Sequence, residues 1–197
     1  MAQFADGTGH AVAQYLDKPQ RDITREDLVR YVKRNGVQFV QFRHVGGDGR
    51  LKTLSFVIES EQQLDRLLAE GERVDGSSLL PYVDTSSSDL YLVPRYRTAF
   101  PNPFTPYPCL DILCTYYTGK GQRLPVSPEN VLLKSQEVLK EKTGLTLDAL
   151  GELEYYVVFP ERHLYLLNPQ RGYHESSPFS RGEYLRNEVM KMLALAG

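Results

Sequence analysis

The hydrophobic and polar positions of residues 23–118 follow two periods, one typical of strands and one typical of helices. Strand-like runs occur at 37–45, 51–58, 89–93 and 110–116. A helix-like stripe, formed by Leu64, Leu67 and Leu68, lies between the second and the third of these runs. This order of strand, strand, helix, strand and strand predicts a small sheet with helical cover, an α+β unit.

Local signals predict where these elements begin and end. Thr24 followed by Asp27 is a capping pair that starts a helix, and the Asn-Gly pair at 35–36 ends it. Four residues at 46–49, three of them glycine, join the first two strand runs and predict a hairpin. Gly71 predicts the end of the second helix.

The flanking segments predict a division of the chain into three parts. Residues 1–22 are polar and aperiodic, so we expect a flexible N-terminal arm. The α+β unit then covers 23–118, and a glycine-containing junction opens a second domain over 119–197. Ser127 and Pro128 predict a helix start there. We expect this helix to bury one stripe, formed by Val131, Leu132, Ser135, Val138 and Leu139.

Charge and composition exclude several classes of partner. A net charge of −2 with a pI of about 6.1 leaves no electrostatic footprint for nucleic acid or a membrane surface. The sequence shows neither an apolar run of membrane-spanning length nor an export signal. Cys109 and Cys114 are five positions apart on a predicted strand, so they face opposite sides and make a poor disulfide. We therefore expect a reducing, cytoplasmic setting.

Two glutamates stand on an otherwise apolar predicted strand at 151–159. Because side chains alternate along a strand, Glu152 and Glu154 share one face, with their carboxylates roughly 7 Å apart. In a partly desolvated site their repulsion would be about 2 to 3 kcal/mol, so something must offset it. A solvated outer face of an antiparallel sheet would do so. A divalent metal site would also do so, because Mg²⁺ and Mn²⁺ take carboxylate oxygens.

A polar loop runs from Val74 to Leu79 and contains Asp75, Gly76, Ser77 and Ser78. Its small residues would let the backbone approach a ligand or another chain. The alternative is a surface turn in which Asp75 binds its own backbone, and such turns are common for strings of this kind. The sequence leaves both interpretations open.

The histidines add little to either candidate site. We expect His10, His44 and His163 to be solvated, since they lie in the arm, near the hairpin tip and near a turn. For His174 the sequence leaves open whether it is solvated or functional. A two-carboxylate metal site without further ligands, followed by a helix that runs to Gly197, leads us to expect that the chain is part of a longer protein.

Taken together and in order, four stretches resemble the glutamine synthetase family, over its N-terminal domain and the first part of its catalytic domain. They are Val74–Ser78 with the following Ser88–Pro94, the strand Gly151–Tyr155, the Gly172-Tyr173 pair, and the proline-rich run before 110–116 with the Ser-Pro helix after it. The resemblance implies a β-grasp-like N-terminal domain over 23–118. It implies a truncated antiparallel-sheet catalytic domain with helices over 119–197.

The resemblance also implies an activity. The parent would use ATP and two or more Mg²⁺ or Mn²⁺ ions to join ammonium to L-glutamate through a γ-glutamyl phosphate. Glu152 would bind the metal on the nucleotide side and Glu154 the metal on the glutamate side. Asp75, with Ser78 nearby, would take the proton from ammonium, and Tyr173 would help close the ammonium site.

It implies an assembly as well. The parent would be a cytoplasmic homo-oligomeric ring, expected to be a dodecamer, with active sites between adjacent subunits, and the fragment alone would be inactive. One departure is that Leu79–Tyr82 stands where the family has a tryptophan. Two alternatives remain: a γ-glutamyl ligase for a larger amine, and a non-catalytic regulatory or binding protein that kept the fold.

Overall fold

A mixed sheet organises the part of the chain that the computed structural model describes, namely residues 9–155, 174, 176 and 182–197. Its strands are β1 (Phe39–Val45), β2 (Leu51–Val57), β3 (Glu72–Asp75), β4 (Asp89–Pro94), β5 (Phe100–Pro101) and β6 (Cys109–Thr118). The α-helices are α1 (Ala11–Leu16), α2 (Arg25–Arg34), α3 (Glu61–Glu70), α4 (Gly76–Leu79), α5 (Pro128–Thr143) and α6 (Glu183–Ala196). Short 3₁₀ turns lie at Gln20–Asp22, Thr85–Ser87 and Tyr96–Thr98.

The strands are arranged in the order β2-β1-β6-β4-β3, and β5 pairs with β6 off this path. The β1–β6 pairing is parallel, with Phe39 opposite Cys109, and the other pairings are antiparallel. The ten-residue β6 pairs with β1 along its first half and with β4 along its second half. It is therefore the strand that joins the two sides of the sheet.

The core lies where helices α1 to α3 pack against this sheet. Fully buried or nearly buried apolar side chains from the helices are Val12, Leu28, Val32, Leu64, Leu67 and Leu68. Those from the strands are Val40, Phe42, Leu90, Leu92, Leu110 and Ile112. All of these residues belong to one contiguous cluster, so the strand and helix periods of the sequence meet in a single core.

The predicted α+β unit and its main local signals are confirmed. In the capping box of α2, Thr24 Oγ1 accepts from the Asp27 amide and the Asp27 carboxylate accepts from the Thr24 amide. β1 and β2 form the predicted hairpin. Two strands were missed: β3, where a loop was expected, and the two-residue β5. Both are too short to give a period in the sequence.

The N-terminal arm expected over 1–22 is folded in its described part. Val12, on α1, is completely buried. His10 holds the start of α1 because its Nδ1 accepts from the Ala13 amide at 3.1 Å, while its Nε2 donates to the Arg97 carbonyl at 3.0 Å. A six-residue helix is too short to show an apolar stripe, so its burial depends on the surface it meets.

His44 is buried, contrary to the expectation that it is solvated. Only 4% of its surface is exposed, and its Nδ1 lies 2.6 Å from the Tyr116 hydroxyl. Burial, and then the positive charge of Lys52 on the paired strand, lower the pKa of His44. Proximity to a hairpin tip did not imply exposure because β6 packs alongside β1 there.

Cys109 and Cys114 are both free thiols, as their spacing predicted, and both are buried. They point to opposite faces of β6, which is buried along most of its length because it lies inside the sheet. Burial raises the pKa of Cys109 to about 12. These thiols are therefore protonated and unreactive at neutral pH.

The stripe expected to be buried on α5 is exposed. Val131 is 51% and Leu132 59% accessible, so the described residues leave this face of the helix to solvent. The Ser127 side chain donates to the Leu124 carbonyl at 3.1 Å instead of capping the helix. The helix itself begins at Pro128, as predicted, and ends at Thr143 with Gly144 as its C-cap. No described helix is both long and apolar enough to cross a membrane.

Replacing Thr24 by alanine should lower the free energy of unfolding by about 1 kcal/mol, because the Asp27 amide loses its acceptor at the start of α2. Thr24→Ser is the matched control, since it keeps the hydroxyl and should stay close to the original stability. Urea unfolding followed by circular dichroism measures both variants. Equal losses in the two variants would contradict the role of the hydroxyl.

Candidate functional site

Asp75 lies at the point where an edge strand becomes a helical turn. It is the last residue of β3, which pairs with β4, and the helical turn α4 follows directly. The Asp75 side chain caps α4, since its Oδ1 accepts from the Ser77 amide at 3.0 Å. The structure thus contains the local turn that was one of the two interpretations of this loop, and the turn leaves the Asp75 side chain exposed.

Two hydroxyl groups also converge on this carboxylate. Ser78 Oγ donates to Oδ2 at 2.6 Å, and Ser77 Oγ donates to Oδ1 at 2.7 Å. These bonds stabilise the charged form and lower the pKa of Asp75 to about 2, and the bond from Ser78 contributes most. The loop therefore presents a fixed, fully ionised carboxylate to solvent at neutral pH.

Gly76 fits where no larger residue would. Its amide donates to the Ser88 carbonyl at 2.7 Å, extending the β3–β4 pairing by one bond. A Cβ atom on Gly76 would lie 2.5 Å from Cδ1 of Leu90 and 3.0 Å from the Ser88 oxygen. Leu90 is almost completely buried in the core, so it cannot move away easily. The small residue after Asp75 thus lets the turn lie directly on β4.

The two glutamates expected on a metal-binding strand lie on an exposed segment. Gly151–Tyr155 has no regular secondary structure, and both Glu152 and Glu154 are exposed. The rest of the predicted strand, 156–159, lies outside the described residues. A strand needs a partner for its backbone groups, and the described residues supply none here. Within that part of the chain, no group of three or more acidic, histidine or cysteine side chains could hold a metal.

The structure brings Asp75 and Ser78 together, and Tyr173 lies outside the described residues. Sequence reasoning missed the contribution of Ser77, although the Asp-x-Ser spacing that produces it can be read from the chain. The same spacing gives Asp84 an equivalent pair of bonds from the Ser86 amide and hydroxyl. His174 has a positive φ of 62° and an exposed side chain.

Residues 36–119 match the family model of the glutamine synthetase β-grasp domain. The whole sheet, from the start of β1 to the end of β6, lies within these matched residues, so its fold is that of a β-grasp sheet, as the resemblance implied. A glutamine synthetase from Methanococcus voltae is 26% identical over 179 residues, which cover 87% of this chain and 40% of that relative. The chain thus spans about two fifths of the length of such relatives.

Similarity extends to a protein named for a different reaction and to a solved structure. A 3-hydroxylaminophenol mutase from Cupriavidus pinatubonensis is 29% identical over 136 residues, 68% of this chain and 27% of that relative. The cryo-electron microscopy structure of Plasmodium falciparum glutamine synthetase superposes with a TM-score of 0.51 at 23% identity, covering 60% of this chain and 23% of that one. This structural likeness supports the fold.

Titration of the Asp75 carboxyl group by NMR should give a midpoint near 2. Ser78→Ala should raise this midpoint toward the ordinary aspartate value, because it removes the hydrogen bond that contributes most to stabilising the anion. Ser87→Ala is the control, since its hydroxyl bonds to the Asp84 carbonyl and not to Asp75.

The same pKa shift has a defined sign for stability. Because the pKa of Asp75 is lowered on folding, the group contributes to the free energy of unfolding above about pH 4, which is its ordinary pKa. This contribution is lost as the pH falls through about 2. A midpoint near 4 in the unsubstituted protein would contradict the stabilisation of the Asp75 anion by Ser77 and Ser78.

Proposed function

We propose that this chain, which carries a glutamine synthetase β-grasp domain, is the N-terminal part of an ATP-dependent ligase that joins ammonia to L-glutamate. The family match and the relatives named glutamine synthetase support a role in glutamine synthesis. The observation that carries the finer proposal is the Asp75 carboxylate, exposed and fixed by Ser77 and Ser78 on a short turn. A rigid exposed anion of this kind suits the binding of a small cation.

The proposed chemistry needs an acidic side chain. The γ-carboxylate of glutamate takes the γ-phosphoryl group of ATP, and ammonia then displaces phosphate to give glutamine. Ammonium is not a nucleophile until it loses a proton, so a carboxylate must bind the cation and then accept that proton. We assign both steps to Asp75, and we assign to Ser78 the placement of its carboxylate.

The acidity of Asp75 favours the first of these steps. With a pKa of about 2, the carboxylate is a strong cation site but a weak base. Burial raises the pKa of a carboxyl group, so an Asp75 turn covered by a neighbouring subunit would become a better base. The proposal therefore includes a homo-oligomer with active sites between adjacent subunits.

Glu152 and Glu154 are the proposed metal ligands. Their carboxylate oxygens have the donor chemistry that Mg²⁺ and Mn²⁺ prefer, and two carboxylates alone leave coordination positions for other ligands. Further ligands would lie outside the described residues. When bound, the ions would offset the negative charge that the nucleotide and the γ-carboxylate bring together. We also assign to Tyr173 a role in closing the ammonium site. We propose that the parent protein acts in the cytoplasm.

A second candidate is an activity on a different amine or nitrogen compound. One relative, 29% identical to this chain, is named a 3-hydroxylaminophenol mutase, so similarity at this level also occurs with a protein named for another reaction. A ligase for a larger amine is the alternative that keeps the same first step, the phosphorylation of glutamate. A product assay with ammonium and with primary amines, each with glutamate and ATP, distinguishes these possibilities.

In the full-length parent, Asp75→Asn should lower kcat/KM for ammonium by roughly 100-fold or more, because the amide can neither hold the cation as a charge nor accept the proton. Asp84→Asn is the matched control: this carboxylate accepts from a Ser86 amide and hydroxyl in the same way and has no proposed role. Glutamine formation at an unchanged rate in Asp75→Asn would remove Asp75 from the mechanism.

Mn²⁺ binding to the full-length parent should weaken at least about tenfold in Glu154→Ala. Even the loss of a residue that only supports a metal ligand typically weakens binding by roughly 10- to 100-fold. Glu141→Ala, which removes an exposed carboxylate from α5, should leave the affinity unchanged. Calorimetric titration measures both variants, and equal affinity in Glu154→Ala and the unsubstituted protein would contradict the metal assignment.

A further inference from the structure

The turn of the β1–β2 hairpin touches the segment that carries Asp75, although the two lie far apart in the sequence. The Gly47 amide donates to the Leu79 carbonyl at 2.9 Å. Leu79 is the last residue of α4, and the carbonyl groups at a helix end have no partner inside the helix. The hairpin turn thus supplies a hydrogen bond that the end of α4 lacks.

The contact is close as well as hydrogen-bonded. A Cβ atom on Gly47 would lie 2.7 Å from Cδ of Pro81 and 3.3 Å from both Leu80 Cα and Tyr82 Cε1. The proline ring is rigid, and Leu80 is completely buried, so neither neighbour can yield freely. Any side chain at Gly47 would therefore push the segment after α4 away from the hairpin.

The turn that holds the two serines is attached at both ends. At its start the Gly76 amide bonds to the Ser88 carbonyl, and at its end the Leu79 carbonyl accepts from Gly47. The first attachment is local, since β3 and β4 are neighbours in the sheet. The second attachment comes from the opposite side, because β6 and β4 separate β1 from β3 in the strand order.

We propose that Gly47 is a positioning residue for the Asp75 turn: by holding Leu79 and leaving room for Pro81, it keeps the Ser77 and Ser78 hydroxyls within hydrogen-bonding distance of the Asp75 carboxylate. The hairpin acts through the backbone of α4, because its hydrogen bond goes to the Leu79 carbonyl. The expected effect of Gly47 on ammonium binding rests on the proposed function. The expected effect of Gly47 on the Asp75 carboxylate is independent of that function.

Gly46 provides a matched control within the same turn. Neither Gly46 nor Gly47 has a positive φ, so alanine at either position does not strain the backbone. The three atoms nearest to a Cβ atom on Gly46 belong to the side chains of Lys52 and Asp48, which can rotate away. The two substitutions therefore add the same methyl group, one against movable side chains and one against the segment that follows α4.

The first experiment titrates the Asp75 carboxyl group by NMR in both variants. Gly47→Ala should raise the midpoint by at least about half a unit, because displaced serine hydroxyls stabilise the anion less. Gly46→Ala should leave it unchanged. Thermal unfolding of both variants records whether the fold is kept. An unchanged midpoint in folded Gly47→Ala would overturn the inference.

A double variant covers the case in which Gly47→Ala is poorly folded. Gly47→Ala/Pro81→Ala removes the ring atom that the new methyl group would strike, so it should fold and recover part of the low Asp75 midpoint. A double variant that folds but shows no recovery would count against the role of the Gly47–Pro81 contact.

Kinetics of the full-length parent separate this inference from the proposed function. With both correct, Gly47→Ala raises KM for ammonium several-fold and leaves KM for ATP unchanged, and Gly46→Ala changes neither. A shifted Asp75 titration with an unchanged KM for ammonium would support the positioning role of Gly47 and contradict the assignment of Asp75 to the ammonium site.

Discussion

The double pairing of β6 is the constraint on which the rest of the structure depends. Its first half bonds in parallel to β1 and its second half antiparallel to β4, so both flanks of the sheet are fixed by the backbone of one strand. Buried backbone groups must find partners, and the ten residues of β6 do so by changing neighbours along their length. The hairpin on one side of the sheet and the Asp75 turn on the other are thereby held in fixed positions relative to each other.

The segment that follows β6 also supplies hydrogen-bond partners to the backbone of this strand. Beyond β1 the open flank of β6 is covered by a side chain and a short segment: the Glu129 carboxylate accepts from the Tyr116 amide at 3.0 Å, and the Leu124 amide donates to the Tyr116 carbonyl at 2.9 Å. The Tyr116 hydroxyl contacts buried His44. The start of α5 is thus tied to the sheet, while Val131, Leu132 and Val138 on α5 remain exposed in the described residues.

The candidate site combines a rigid part and an incomplete part. Asp75 has its charge fixed by hydrogen bonds from two serines, and its turn lies against buried Leu90. Glu152 and Glu154 lie on an exposed segment without a strand partner. This difference follows from packing, since the β-grasp sheet buries its own core whereas Gly151–Tyr155 contacts no completed sheet in the described residues. A site shared between subunits would join both parts only on assembly.

The amino-acid sequence by itself determined the features that depend on near neighbours. The capping box at Thr24, the hairpin at 46–49 and the end of α3 at Gly71 are local, because a few residues fix their backbone angles and hydrogen bonds. The Asp-x-Ser spacing that lets the Ser77 amide bond to the Asp75 carboxylate can also be read from the chain. Only the tertiary structure decided the burial of His44, the folding of α1 and the contact between Gly47 and Leu79. These depend on which surfaces meet across the sheet, and the periodicity of a single segment carries no information about its partner.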